Sequence, residues 1–150
     1  MKYTIYTDGG CRPNRGNDPG GWACIIIIQE TQQAEYSGFH PATTNNRMEI
    51  QAVIEGLSRI PEAAEAEVYS DSAYVVNCFR DGWYRRWRRN GWVSSAGTPV
   101  ENKDLWEKLL DLVEKRQITF CKTKGHADDP LNNRCDELAT AALKQGRQQA

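Results

Sequence analysis

"KYTIYTDGGCRPNRGNDPGGWACIIIIQ", residues 2–29, sets how the rest of the chain is read. Residues 2–7 alternate, Tyr3, Ile5 and Thr7 against Thr4 and Tyr6, which is the period of a β-strand. Asp8 stands where that run stops. Five glycines, two prolines, two asparagines and two arginines lie between Tyr6 and Trp22, a dense turn signal. Residues 21–29 are a β-branched run, which predicts a strand buried on both faces. Residues 33–39 make a weaker third strand, and the short spacing of the three predicts an antiparallel meander.

Outward from there, residues 46–60 have the pattern of a helix. Asn46 is its expected cap, Glu49 three residues on completes a capping box, and Pro61 marks its end. Residues 67–69 centre a short strand that stops at Ser70 and Asp71. Residues 72–79, 81–92 and 102–116 read as helices, the last with Leu105, Trp106, Leu109, Leu112 and Val113 as its apolar stripe. Residues 117–122 form another strand. Asp129 is a cap followed by proline at the first helical position, and the last helix runs to about residue 145 with a frayed polar tail. This order predicts an α/β fold: a five-stranded mixed sheet, an antiparallel meander plus parallel strands, flanked by helices.

Composition narrows the function. With 150 residues and 39% hydrophobic content, the chain suits one globular domain. A net charge of −1 provides no overall basic field, so a nucleic acid would have to be held by a local patch. The longest apolar run, "ACIIII", is far short of a membrane span, and Asp8 interrupts any signal-peptide core. Five scattered cysteines without a CxxC pair suggest neither a disulfide framework nor a zinc ribbon, and point to a reducing, cytoplasmic setting. No leftover apolar stripe asks for a partner, so a monomer is expected.

Four carboxylates stand in unexpected places. Asp8 and Asp71 each follow a strand, where ligands gather in open sheets, and they would face each other if the two strands were neighbours. Glu49 heads the helical stripe of Ala52, Val53, Gly56, Leu57 and Ile60, the side that should face the sheet. Asp136 shares its helical face with Ala139, Thr140 and Leu143. Each has a bland reading as turn former, cap or dipole partner. Together, several acids on one core face would repel one another, and would take up protons or need a cation. Oxygen-only ligands suit a hard ion such as magnesium or manganese.

"YTDGG", "TTNNRMEIQAVIEGL", "YSDSAYVVN", "GWYRRWRRNGW", "PVENKDLW" and "KGHADDPLNNRCDELA" together resemble, in this order, the bacterial form of the type 1 ribonuclease H family over about residues 3–143. The resemblance implies a ribonuclease H-like fold filling one domain, 1–150. It implies an endonuclease that cuts the RNA strand of RNA–DNA hybrids with two magnesium ions, manganese being a possible substitute, and leaves 5′-phosphate and 3′-hydroxyl ends. The family's metal-binding acids fall on Asp8, Glu49, Asp71 and Asp136, and its catalytic histidine on His126. Its contacts to RNA 2′-hydroxyls fall on Gly9, Gly10, Cys11, Asn45 and Asn46, and its DNA-phosphate contacts on Thr44 and on Asn14 or Asn17. Departures are a longer loop after Asp8, Ala42 in place of a frequent arginine, and Asn133 in place of a frequent acid.

Residues 81–92 concentrate four arginines and three tryptophans. Arginines clamp phosphates and aromatics pack on sugars or bases. Trp83, Trp87, Arg85, Arg86, Arg88 and Arg89 are therefore expected to touch the substrate; in the resembled family this element grips the DNA strand. Two alternatives compete: a hybrid-binding module without catalysis, which would gain nothing from four repelling acids, and a related nuclease with DNA specificity, which "TTNNRME" argues against. Cys11 and Cys135, flanking two acids expected to meet, are read as near enough to respond to oxidation.

Overall fold

The computed structural model describes residues 2–123 and 129–149. Three strands open the chain: β1 (Lys2–Cys11), β2 (Asp18–Ile28) and β3 (Gln32–Thr43). Then come α1 (Asn45–Leu57), β4 (Glu65–Ser70), α2 (Ala73–Arg80), α3 (Trp83–Asn90), α4 (Lys103–Glu114), β5 (Gln117–Lys122) and α5 (Pro130–Gln149). The sheet order is β3-β2-β1-β4-β5. β2 runs antiparallel to β1 and β3, whereas β4 is parallel to β1 and β5. The predicted meander with parallel additions is the observed sheet.

The sheet divides two cores. On one face Tyr3, Ile5, Cys24, Ile26 and Val68 pack with Ile50, Val53 and Leu57 of α1 and with Leu105, Trp106 and Leu109 of α4. On the other, Ala23 and Ile25 pack with Cys135 and Ala139 of α5. β2 faces both, which is why its run lacks alternation. Trp106 is wholly buried, and its indole N–H donates to the Tyr74 hydroxyl at 3.0 Å, so the largest core side chain leaves no polar atom unpaired.

Two local expectations are corrected. β1 does not stop at Thr7. It continues through Asp8 to Cys11, with Asp8 opposite Ala23 and Cys11 opposite Gly20. Of the five glycines of the turn signal, Gly9, Gly10, Gly20 and Gly21 are strand residues, and Gly9 and Gly21 make room for helices. A Cβ on Gly9 would lie 2.3 Å from the Met48 carbonyl oxygen of α1, and one on Gly21 2.4 Å from the Ala139 carbonyl oxygen of α5. Nor does Asn46 cap α1. Thr44 does, its hydroxyl oxygen accepting from the Arg47 amide at 3.2 Å. Glu49 therefore lies one turn inside the helix and serves no cap. Ser72 caps α2, which leaves Asp71 free of that duty as well. The expected cap of α5 is present: the Asn132 amide donates to Asp129 at 3.2 Å.

Candidate active site

The last paired residues of β1 and β4 are Tyr6 and Tyr69, whose rings stack at 4.8 Å. Beyond them β4 ends at Ser70, while β1 runs on beside β2 alone. Asp8 and Asp71 lie just past this fork, at the carboxyl ends of two parallel neighbours. Gly9 admits the α1 backbone, which carries Glu49. Gly21 admits the α5 backbone, which carries Asp136 one turn before Ala139. Both helices thus lean on the sheet beside Asp8.

Asp8, Glu49 and Asp71 each place a carboxylate oxygen within 4.8 Å of the others. Asp136 stands at the rim, exposed, and lines the same cleft of about 430 Å³ as Asp8, Glu49, Gly9, Gly10, Cys11, Asn45 and Asn46. Asp8 is buried to 9% exposure. Burial, then the Asp71 charge, then the hydrogen bond and charge of Asp136 push its carboxyl up to about 8, against a weaker pull from the Gly9 amide. Burial, followed by the charges of Asp8 and Asp71, raises Glu49 well above its ordinary value. One Glu49 oxygen, Oε1, is buried with no hydrogen-bond partner. An orphaned carboxylate oxygen among three crowded acids is what a hard cation would satisfy, so the donor set fits magnesium or manganese.

This geometry sets a pH dependence. Asp8 holds its proton more tightly folded than unfolded, so the folded protein binds more protons between about pH 4 and pH 8 and its stability falls as pH rises through that window. Glu49 acts in the same direction. Asp104, lowered to about 2 by Arg47, acts oppositely and only at lower pH. The thermal midpoint of chelator-treated protein should therefore fall between about pH 5.5 and about pH 8. Magnesium should raise the midpoint more at the higher pH, where it no longer competes with protons. A magnesium shift that is equal at both would contradict the competition between cation and protons.

Around the acids, the remaining expected residues divide. The Cys11 amide donates to Asn45 Oδ1 at 2.6 Å, and Asn14 Oδ1 accepts from the Asn45 amide at 3.2 Å. Among the two asparagines of the long loop, Asn14 is thus the one that reaches α1. The Cβ direction of Gly9 is filled by α1, while Gly9 itself lines the cleft. Gly10 stays open, a Cβ there meeting nothing nearer than Asn45 Oδ1 at 3.5 Å. Cys135 Sγ lies 3.4 Å from the Ala23 carbonyl oxygen, and Cys11 is three strand residues, roughly 10 Å, further along. That separation and the burial of both thiols set aside the expected shared oxidation response. His126 lies outside the described residues.

Helix α3 turns its tryptophans inward and its arginines outward. Trp87 packs on Trp83, Trp92 and Trp106 at 5.6–6.3 Å between ring centres, and Trp83 and Trp87 are half-buried against the core. Arg85 and Arg88 lie over the Tyr84 ring, and Arg88 also pairs with Glu114. Arg86 and Arg89 are exposed and carry no ion pair among the described residues. Sequence reasoning missed the tie between Arg47, two residues before Glu49, and Asp104 at 2.7 and 3.0 Å. The two are 57 positions apart, and no local pattern announces such a pair.

Oxygen-only donors gathered at the strand ends of a mixed sheet are of the kind with which cation-dependent phosphodiester hydrolases hold their ions. The chain belongs to the RNase H family, whose sequence model matches residues 1–144. It is 54% identical to a ribonuclease H of Symbiobacterium thermophilum over 96% of both chains. It is 53% identical to one of Chlorobium limicola over 95% of this chain and 96% of that one. Among solved structures it resembles LC9-RNase H1, a type 1 RNase H with the type 2 active-site motif, at 26% identity and a TM-score of 0.83, over 96% of this chain and 72% of that one. At 24% identity, the fold of LC11-RNase H1, solved with an RNA/DNA hybrid, matches with a TM-score of 0.71 over 97% of this chain and 99% of that one.

Proposed function

We propose that this chain is an endonuclease that hydrolyses the RNA strand of RNA–DNA hybrids, with Asp8, Glu49, Asp71 and Asp136 holding two magnesium ions. The observation that carries the reading is the crowded Asp8–Glu49–Asp71 cluster with its unpartnered Glu49 oxygen. Bound magnesium would supply the Lewis acidity that a phosphodiester displacement needs at its attacking and leaving oxygens. The chain's own residues do the rest. Asp8 and Glu49, whose carboxyls burial and neighbouring charge raise, would hold a cation in their ionised forms. Asp136, at the open rim, closes the donor set from α5. His126 carries a proton or assists product release. The products are a 5′-phosphate and a 3′-hydroxyl.

Recognition is divided between the cleft and α3. The β1 backbone at Gly10 and Cys11, with the Asn45 and Asn46 side chains, would meet RNA 2′-hydroxyls, the groups that distinguish RNA from DNA. Thr44 keeps its hydroxyl proton for a DNA phosphate while its oxygen caps α1. Asn14 stands beside it. On α3 the exposed arginines would follow the DNA backbone, with the half-buried edges of Trp83 and Trp87 against sugars. Because Glu114 engages Arg88, Arg89→Ala should weaken hybrid binding more than Arg88→Ala does. It should also lower the salt slope of the binding constant by about 1. Binding titrations at several salt concentrations read this, and equal effects at the two positions would count against the division.

The same reading has the chain acting as a monomer in the reducing cytoplasm, which five free cysteines support. Among the described residues no helix is long and apolar enough to cross a membrane. The direct experiment incubates labelled RNA–DNA, DNA–DNA and RNA–RNA duplexes with magnesium, manganese, calcium or chelator. Cleavage confined to the RNA of the hybrid, with magnesium or manganese, is expected. Binding without cleavage, or cutting of DNA–DNA, would replace the proposal.

A further inference from the structure

We propose that Arg147 and Gly146, in the last turn of α5, brace the loop of residues 12–17 and are positioning residues for the nucleic-acid strand that enters the cleft. The proposal rests on the hydrolase reading above. Every residue of this loop is exposed, yet it borders the site, since Arg12 lines the cleft that holds Asp8. An exposed stretch stays in place only where something ties it down. One tie is Asn14, whose Oδ1 accepts from the Asn45 amide at 3.2 Å and from the Cys11 thiol at 3.1 Å. That fastens the loop to the N-terminus of α1. The start of β2 holds it too, the Arg12 amide donating to Pro19 O at 3.1 Å and the Arg15 amide to Asp18 Oδ2 at 2.7 Å, and a further tie comes from the far end of the chain, where Arg147 Nη2 donates to the Arg12 carbonyl oxygen.

Gly146 sets the reach of that arginine. A Cβ there would lie 2.0 Å from Cγ of Phe39, so the end of α5 presses directly on β3. From this seat the following residue, Arg147, reaches the loop. Helix α5 then places Asp136 in the cleft and, about 16 Å further along its axis, Arg147 on the loop that borders it. Arg147 Nη2 donates to a carbonyl, and among the described residues no carboxylate pairs with this guanidinium, so it adds positive charge beside Arg12 at the rim. A cationic rim of this kind favours an incoming phosphate backbone. The terminal turn, read from sequence as a frayed tail, is in this view part of the substrate-facing surface.

The test uses the full-length protein and the variants Arg147→Ala, Arg147→Lys and Gly146→Val. Arg147→Ala should raise KM for a hybrid about fivefold, the loss of one such hydrogen bond, with kcat and thermal midpoint nearly unchanged. Limited trypsin digestion should cut faster after Arg15, inside the loop. Arg147→Lys, which keeps the charge and one donor, should recover part of both effects, and Gly146→Val should reproduce them. Wild-type KM and wild-type cutting after Arg15 in Arg147→Ala would overturn the brace, as would a fall in kcat that merely follows lost stability. If the unaltered chain cleaves no hybrid, the hydrolase reading fails, and the digestion comparison still decides the brace.

Discussion

Asp8→Asn is expected to reduce hybrid cleavage by about 10³-fold or more while making the metal-free protein more stable. The two effects have one origin. Asp8 is nearly buried and sits among Asp71, Glu49 and Asp136, so its charge is opposed by burial and by its neighbours. A cation needs that charge, and the empty fold is strained by it. Asparagine has nearly the same shape and no charge. At pH 8 the gain in the absence of metal should be about 2 kcal/mol, or roughly 4–8 °C in the thermal midpoint. At pH 5.5 the gain should be smaller, and it should vanish only below about pH 4, where Asp8 is protonated in the folded and the unfolded chain alike. Magnesium should stabilise the variant less than the unaltered chain. Near-normal turnover would refute the metal role, and an unchanged midpoint at pH 8 would refute the repulsion.

Gly9→Ala should be the most damaging change of a single methyl group. The new Cβ would stand 2.3 Å from Met48 O, 2.4 Å from Met48 C and 2.8 Å from Glu49 N, all backbone atoms of α1 that no side-chain rotation can clear. Either α1 lifts from the sheet or β1 bends. The cost should be about 3 kcal/mol, near 10 °C in the thermal midpoint. Because the displaced segment carries Glu49, activity should fall roughly 10²-fold even where the variant is folded. Gly10→Ala is the control: its nearest neighbour, Asn45 Oδ1, is at 3.5 Å, an ordinary contact, and its stability should change little. Denaturation curves and turnover at a temperature where both variants are folded would separate stability from geometry. Equal behaviour of the two alanines would show that the close approach of α1 is not what Gly9 provides.

Much of this site was legible before any coordinates. Glu49 heads an apolar stripe, and only a functional reason puts an acid there. The structure adds that Thr44 caps the helix, which removes the bland explanation of Glu49. The inward tryptophans and outward arginines of α3 were less legible. Residues four apart share a face, but which face meets the core depends on Trp106, from a helix placed later in the chain. Glu114, which engages Arg88, comes from that same helix.

The sequence by itself determined the strand and helix order and the mixed sheet, and it singled out the four acids as candidates, because period, turn residues and misplaced charges are local signals. Tertiary structure alone decided where β1 ends, why Gly9 and Gly21 are glycines, and that three acids come within 4.8 Å while Asp136 keeps to the rim. Those outcomes depend on backbones from distant segments meeting at one fork of the sheet. Close approach between residues tens of positions apart leaves no period in a sequence.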